Sequence, residues 1–310
     1  MQHSAPTTSF DSLSSPLRGV LPRRSASLST ICRLALVPGA FAVVCLYGCV
    51  IWTFGISLTR SRLLPLYQFA GFEQYRRLFA QARWWTAMSN LVLYASCLTV
   101  LCLFLGIVLA VLIDRATRWR RLYRVIFMLP LSVSFVVTGL VWRWVLDPGI
   151  GLEHMIRALG FHEFRFDWVV RPEKAIYTLV LAGSWQQTGL CLALLLAGLS
   201  RTDAAIWKMA SIDGIPEWRV YRHIALPLVR PAFVTAAVLL LTTSVKSYDL
   251  VVSLTGGGPG FASDLPGHFV VELINRQELG MGAAGACVLM CTVAAAVAPF
   301  VFLGMRLRCA

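Results

Sequence analysis

The stretch DAAIWKMASIDGIPEWRVYRHIALP, residues 203–227, decides the reading of this chain. It is a polar island between two long apolar runs, and it spells helix, break, helix. Asp213–Gly214 is a turn signal, because glycine at a helix C-terminus adopts the left-handed conformation at little cost. Pro216 suits the first position of a second helix, where its missing N–H is no loss. Pro227 and Pro231 close that helix and open the next apolar run. Two short helices held at a fixed angle make a rigid knob, and a rigid knob can transmit a push that a flexible loop cannot. Ile206, Met209, Ala210, Ile212, Ile215 and Trp218 offer it apolar contacts.

The runs on either side of this island are apolar blocks near twenty residues long. That length crosses the ~30 Å hydrocarbon core of a bilayer as a helix, and helices are required because lipid gives backbone polar groups no other partner. The whole chain is 57% hydrophobic and 14% charged, which excludes a soluble globular class. The blocks predict an all-α polytopic membrane protein with six spans, at about 34–58, 85–113, 125–146, 175–199, 231–254 and 281–305, and a docking loop at 200–230. Residues 1–30, rich in Ser, Pro, Thr and Arg, are expected to be a disordered cytoplasmic tail, and 31–310 the transmembrane domain.

Six spans put both termini on one side. Sixteen of the 28 Lys and Arg fall in the tails and loops of the side that carries the docking loop. The positive-inside rule makes that side cytoplasmic. The net charge of +13 could suggest nucleic acid, but the basic residues cluster beside apolar spans, so lipid rather than nucleic acid is the expected partner. Of the nine cysteines, none falls in an outer loop, so no disulfide framework is expected. No Cys/His spacing fits a metal. Gly256–Gly257–Gly258–Pro259 lacks the Lys-Ser/Thr of a phosphate-binding loop. No catalytic residue and no cofactor is expected in this chain. His154, His162, His223 and His268 look isolated, and none is assigned chemistry.

Within the second polar excursion, Phe72, Tyr75, Leu78 and Phe79 are spaced for one helical face, and Trp84 and Trp85 sit where aromatic residues anchor at a membrane interface. Trp142, Arg143 and Trp144 read as another such anchor. Lys246 and Asp249 are three apart and can pair on a helix. One reading is a satisfied pair at a helix end. The other is that Lys246, Tyr248 and Asp249 line a solute route beside Trp185, Gln186 and Gln187, since ionisable groups at membrane depth usually face a cavity or a partner. Such a set suits sugars, because aromatic faces cover C–H surfaces while amides and charges bond hydroxyls.

The docking stretch resembles the cytoplasmic loop of the membrane subunits of bacterial ABC importers, written E-A-A, three residues, G, nine residues, I, one residue, L-P. Lys208, Met209 and Ala210 occupy the first three positions, Gly214 the glycine, and Ile224, Leu226 and Pro227 the ending. The chain departs from that pattern with lysine for glutamate and methionine for the second residue. The form Trp-Lys-x-Ala-x-x-Asp-Gly-Ile-Pro, from Trp207 through Asp213 to Pro216, resembles the alpha-glucoside and glucose branch of the sugar permeases. Residues 71–79 resemble the family's external segment. Thr255, Gly256, Gly257, Gly258 and Pro259 resemble an outer loop that is implied to meet the solute-binding protein.

The resemblance implies the MetI-like permease fold and the maltose-type F half of a sugar importer in the bacterial inner membrane. It implies a second, related permease subunit, two ATP-binding subunits that hold the ATP and magnesium, and a soluble sugar-binding protein. The alternatives are another solute, such as a polyol or glycerol phosphate, in the same fold, a secondary transporter, and a structural membrane anchor.

Overall fold

Apolar blocks satisfy their backbone as helices, and the computed structural model is built from them. It describes residues 28–62, 68–115 and 118–309. In order these form α1 (Leu28–Ser57), α2 (Glu73–Phe79), α3 (Ala82–Arg115), α4 (Arg120–Met128), α5 (Phe135–Val145), α6 (Leu152–Ala158) and α7 (Ala175–Leu199). Then come α8 (Ala204–Ile212), α9 (Glu217–Val220), α10 (Leu226–Leu228), α11 (Arg230–Val245), α12 (Tyr248–Leu254), α13 (Pro266–Asn275) and α14 (Leu279–Cys309). Among the described residues there is no β-strand, only an isolated bridge between Thr59 and Phe69. The expected disordered tail lies outside the described residues, except for its last positions, which begin α1.

The chain divides into two units, residues up to Ile51 and those from Trp52 onward. The described part of the first is α1 up to Ile51, an apolar helix with Pro38 inside it. The second holds the end of α1 and all the helices from α2 to α14.

Four helical stretches are long and apolar enough to cross a membrane: Pro38–Ser57, Ala82–Arg115, Ala175–Leu199 and Leu279–Phe302. Two bent pairs raise the number to six if each counts as one span. The expected third span, 125–146, is therefore not one helix. Arg120–Ser132 and Phe135–Val145 meet at 98°. Pro130 has no N–H to continue the ladder, and Ser134 starts α5 afresh by accepting from the Val137 amide at 3.3 Å. The expected fifth span, 231–254, is broken as well: α11 ends at Val245, and Lys246 and Ser247 turn the chain before α12.

The centre of the second unit is the α3–α7 contact. A Cβ added to Gly106 would lie 2.6 Å from Cys191 Cβ, so the two backbones approach where only glycine fits. Tyr94, Leu98, Leu179, Leu240 and Leu250 are buried around it. α5 crosses α12 as closely, at Gly139 and Ser253.

Three smaller expectations change. Trp84 is fully buried against Phe269, 5.8 Å between ring centroids, so only Trp85 is placed as an exposed aromatic. On α2 the buried side chains are Gln74 and Leu78, while Phe72 and Phe79 are exposed. Gln74 faces inward because its amide donates to the Thr59 carbonyl at 3.0 Å. The outer segment after Pro259 holds α13, where Pro266 opens the helix and Phe269, Val270 and Leu273 are buried.

Candidate functional site

The docking stretch folds as an elbow. Asp203 caps α8 by accepting from the Ala205 amide at 3.0 Å, a cap that contributes ~0.5–2 kcal/mol. At the other end Gly214 has φ +66°, and the Ile215 amide donates back to the Ala210 carbonyl at 2.9 Å. That bond closes the turn that the Asp213–Gly214 pair predicts. Pro216 sits just before α9, one position earlier than expected, with φ −65°. Met209, Ile212, Ile215 and Trp218 are exposed, Ile212 by 84%. Lys208 and Asp213 are exposed beside them. Ala210 is a correction: it is buried, and its role is the carbonyl that holds the turn. Ile206 is half-buried.

The elbow is tied to the bundle by an aromatic and ionic joint. Trp207 packs on Tyr221, 4.7 Å between centroids. The Tyr221 hydroxyl donates to Asp114 Oδ2 at 3.0 Å, and Arg120 bonds the other oxygen of Asp114 at 2.8 Å. Arg115 lies over the Tyr221 ring at 5.0 Å and bridges Glu217 at 3.1 Å. Below the joint Ile113, Leu192, Leu195, Leu199, Ala225 and Val229 form a second buried cluster. A push on the exposed patch therefore reaches the ends of α3 and α7 through close-packed side chains, which are hard to compress.

At the candidate solute route the residues separate. Trp185, Lys246 and Asp249 are exposed and Tyr248 is half-exposed. Lys246 and Asp249 form no ion pair, because the turn at Lys246–Ser247 lies between them instead of a helix. Gln186 and Gln187 are buried, at 3% and 4% exposure, and do not share that surface. Gln186 is structural instead. Its Nε2 donates to the Val133 carbonyl at 2.5 Å, which satisfies the bend before α5. Trp142, expected as an interfacial anchor, packs edge-on to Trp185 at 6.1 Å. Gly139 against Ser253, and Gly183 near Leu250, bring α5, α7 and α12 together around this aromatic pair.

The glycine-rich outer loop is fixed to its surroundings. Ser263 Oγ donates to the Gly258 carbonyl at 2.6 Å and bonds Thr255 Oγ1 at 2.8 Å. Gly256, Gly257 and Gly260 have φ of +61°, +81° and +58°, and the Gly258–Pro259 peptide is cis. Beneath the loop lies a polar network that sequence reasoning missed. Asp264, with no exposed side-chain surface, pairs with Arg83 at 2.7 Å and with His268 Nδ1 at 2.6 Å. His268 is thus not isolated, and it stacks on Tyr248 at 6.0 Å. Arg83 also bonds Glu272, and its guanidinium lies 4.0 Å from the Phe261 ring centroid. Breaking a buried pair by removing one partner costs ~3–5 kcal/mol, so this network can hold the loop. Arg83, with help from Arg276, keeps the Glu272 carboxyl below its ordinary range. The missed signal was periodic: Asp264, His268, Glu272 and Arg276 recur every fourth residue.

Helices long and apolar enough to cross a membrane, together with an exposed, glycine-closed elbow, are the features of a helical membrane protein. The family model for the binding-protein-dependent transport system inner membrane component matches residues 102–308, more than half of the chain, and the chain belongs to that family. It is 32% identical to a probable ABC transporter permease protein of Pyrococcus horikoshii, over 90% of this chain and 97% of that one. It is 27% identical to the trehalose/maltose transport system permease protein MalF of Thermococcus litoralis, over 86% of this chain and 90% of that one. The fold also matches a crystal structure of a bacterial ABC transporter involved in import of the acidic polysaccharide alginate. There the TM-score is 0.79 at 17% identity, covering 89% of this chain and 95% of that one. The protein is an inner-membrane permease subunit of an ABC importer, a transport component that works with a substrate-binding protein and partner subunits.

Proposed function

We propose that this chain is one of two related permease halves of an ATP-driven importer for an alpha-glucoside-like mono-, di- or oligosaccharide. The observation that carries the ATP-driven part is the elbow: four exposed apolar residues on a glycine-closed turn, joined to α3 through Tyr221 and Asp114. Two ATP-binding subunits would each hold one such elbow, one from each permease half. Their closure on ATP would move the elbows as rigid bodies. ATP, magnesium and hydrolysis belong to those subunits, and this chain contributes no catalytic group. With the elbow in the cytoplasm, as the basic loops favour, both termini are cytoplasmic.

The sugar part rests on Trp142, Trp185, Tyr248, Lys246 and Asp249, which combine aromatic faces with hydroxyl-binding groups. Similarity to a trehalose/maltose permease protein supports the same class. The loop from Thr255 to Pro259, held above Asp264, would meet the sugar-loaded binding protein. The test is uptake into vesicles carrying the assembled importer, with its binding protein and labelled maltose, trehalose, a polyol or glycerol phosphate. ATP-dependent uptake of the glucosides alone supports the proposal. Uptake that follows an ion gradient without ATP would refute the motor reading, and uptake of glycerol phosphate alone would refute the sugar reading.

A further inference from the structure

The start of α4 carries charge that the importer reading leaves without a role. Arg118, Arg120, Arg121 and Arg124 fall within seven residues and, with Trp119, line a cavity of about 930 Å³. Among the described residues only Arg120 has an acidic partner, Asp114, and even so its Nε is buried without a hydrogen bond. Arg118, Arg121 and Arg124 are exposed and form no ion pair there. Four guanidinium charges within seven residues repel one another, and an anion among them would relieve that repulsion. Planar forked donors match phosphate oxygens.

Leu122 and Val125, on the same helix as Arg120, Arg121 and Arg124, also line the cavity and are 48% and 57% exposed. The site lies at the elbow end of α3, whose apolar run ends at Arg115, three residues before Arg118, so the arginines follow directly on a helix long and apolar enough to cross a membrane. A free phosphate would satisfy the charge and leave Leu122 and Val125 in water. A phospholipid satisfies both, and clustered basic residues on an amphipathic helix next to a span are a known basis for anionic-lipid recognition. We propose that this cavity holds an anionic phospholipid, its phosphate on Arg118, Arg121 and Arg124 and an acyl chain along Leu122 and Val125.

The test uses the full chain in detergent, with native mass spectrometry after addition of phosphatidylglycerol or phosphatidylcholine. The wild type should retain phosphatidylglycerol and release phosphatidylcholine. The Arg118→Gln/Arg121→Gln/Arg124→Gln variant should bind the anionic lipid on the order of 100-fold more weakly. The corresponding triple lysine variant keeps the charge without the forked geometry, so it should bind more weakly than the wild type but more tightly than the glutamine variant, which separates loss of charge from loss of folding. Should the triple glutamine variant fail to fold, Arg124→Gln alone should still weaken binding several-fold. Equal lipid retention in the wild type and the glutamine variant would overturn the proposal. So would competition by inorganic phosphate as effective as by the lipid, which would make the ligand a soluble anion. Protection of α4 from hydrogen exchange only on adding the ATP-binding subunits would overturn it too, making the surface a protein contact.

Discussion

The Tyr221 hydroxyl donates a 3.0 Å hydrogen bond to Asp114, a residue 107 positions earlier in the chain. It joins the elbow to the end of α3 at a point where Arg115 and Arg120 also converge. A hydrogen bond to a charged group contributes ~1.5–3 kcal/mol. Tyr221→Phe removes that bond and keeps the ring on Trp207. The expected outcome is an intact assembly that hydrolyses ATP but imports less solute per ATP. Unchanged stoichiometry of uptake to hydrolysis would show that the bond carries no force.

Gly214 has φ +66°, and an added Cβ there would meet nothing within 4 Å. The constraint is therefore conformational and not steric. Asparagine tolerates the left-handed region, while a residue with a branched Cβ is destabilised there by ~1–2 kcal/mol or more. Gly214→Val should abolish co-purification of the ATP-binding subunits, and Gly214→Asn should retain most of it. Equal loss in both variants would point to a contact of the glycine itself.

Lys208 is exposed on α8 beside Met209 and Ile212. Its charge would repel a basic rim, so the partner should present an acidic or neutral one. Lys208→Glu is expected to weaken pull-down of the ATP-binding subunits, most clearly at low salt, where surface charges are least screened. Tighter capture would reverse the inferred sign of that rim.

A Cβ on Gly139 would come within 1.8 Å of Ser253 Oγ and 3.1 Å of the Leu254 amide nitrogen. The second contact is backbone and cannot rotate away. Gly139→Val should cost at least ~1–3 kcal/mol by overpacking and lower the melting temperature of the purified chain. Ser253→Ala, which removes only a hydroxyl bonded within its own helix, should melt close to the wild type.

Arg83 holds the Glu272 carboxyl below its ordinary value of 4.5, and Arg276 adds to the effect. A depressed folded-state value means the carboxylate is stabilising once ionised. Its contribution is fully present above pH 4.5 and is lost as pH falls through the lower folded value. Melting temperature measured from pH 7 to pH 3 should fall more steeply for the wild type than for Glu272→Gln at the acid end. Parallel curves would remove Glu272 from the acid response.

Much of the architecture was legible because lipid imposes one rule on every span. The run at 175–199 has no proline and no charge, and it coincides with α7. The elbow was legible because Asp213, Gly214 and Pro216 act on their own neighbours. What escaped notice depends on distant contacts. Nothing local tells that Trp84 is buried while Trp85 is not, or that Trp142 meets Trp185. Lys246 and Asp249 fit a helical pair until the turn between them is seen. Arg83 and Asp264 are 181 residues apart. The four-residue rhythm from Asp264 to Arg276 was nevertheless present and marked a polar helical face.

The right-angled corner between α4 and α5 has a mechanical consequence. A continuous helix behaves as a stiff rod, since bending it means lengthening many ladder bonds together. Here the ladder is interrupted, and the Val133 carbonyl is held by the side chain of Gln186. The angle between the arms can therefore change at Val133 and Ser134 without breaking the ladder of either helix, while Gln186 pins the corner to α7.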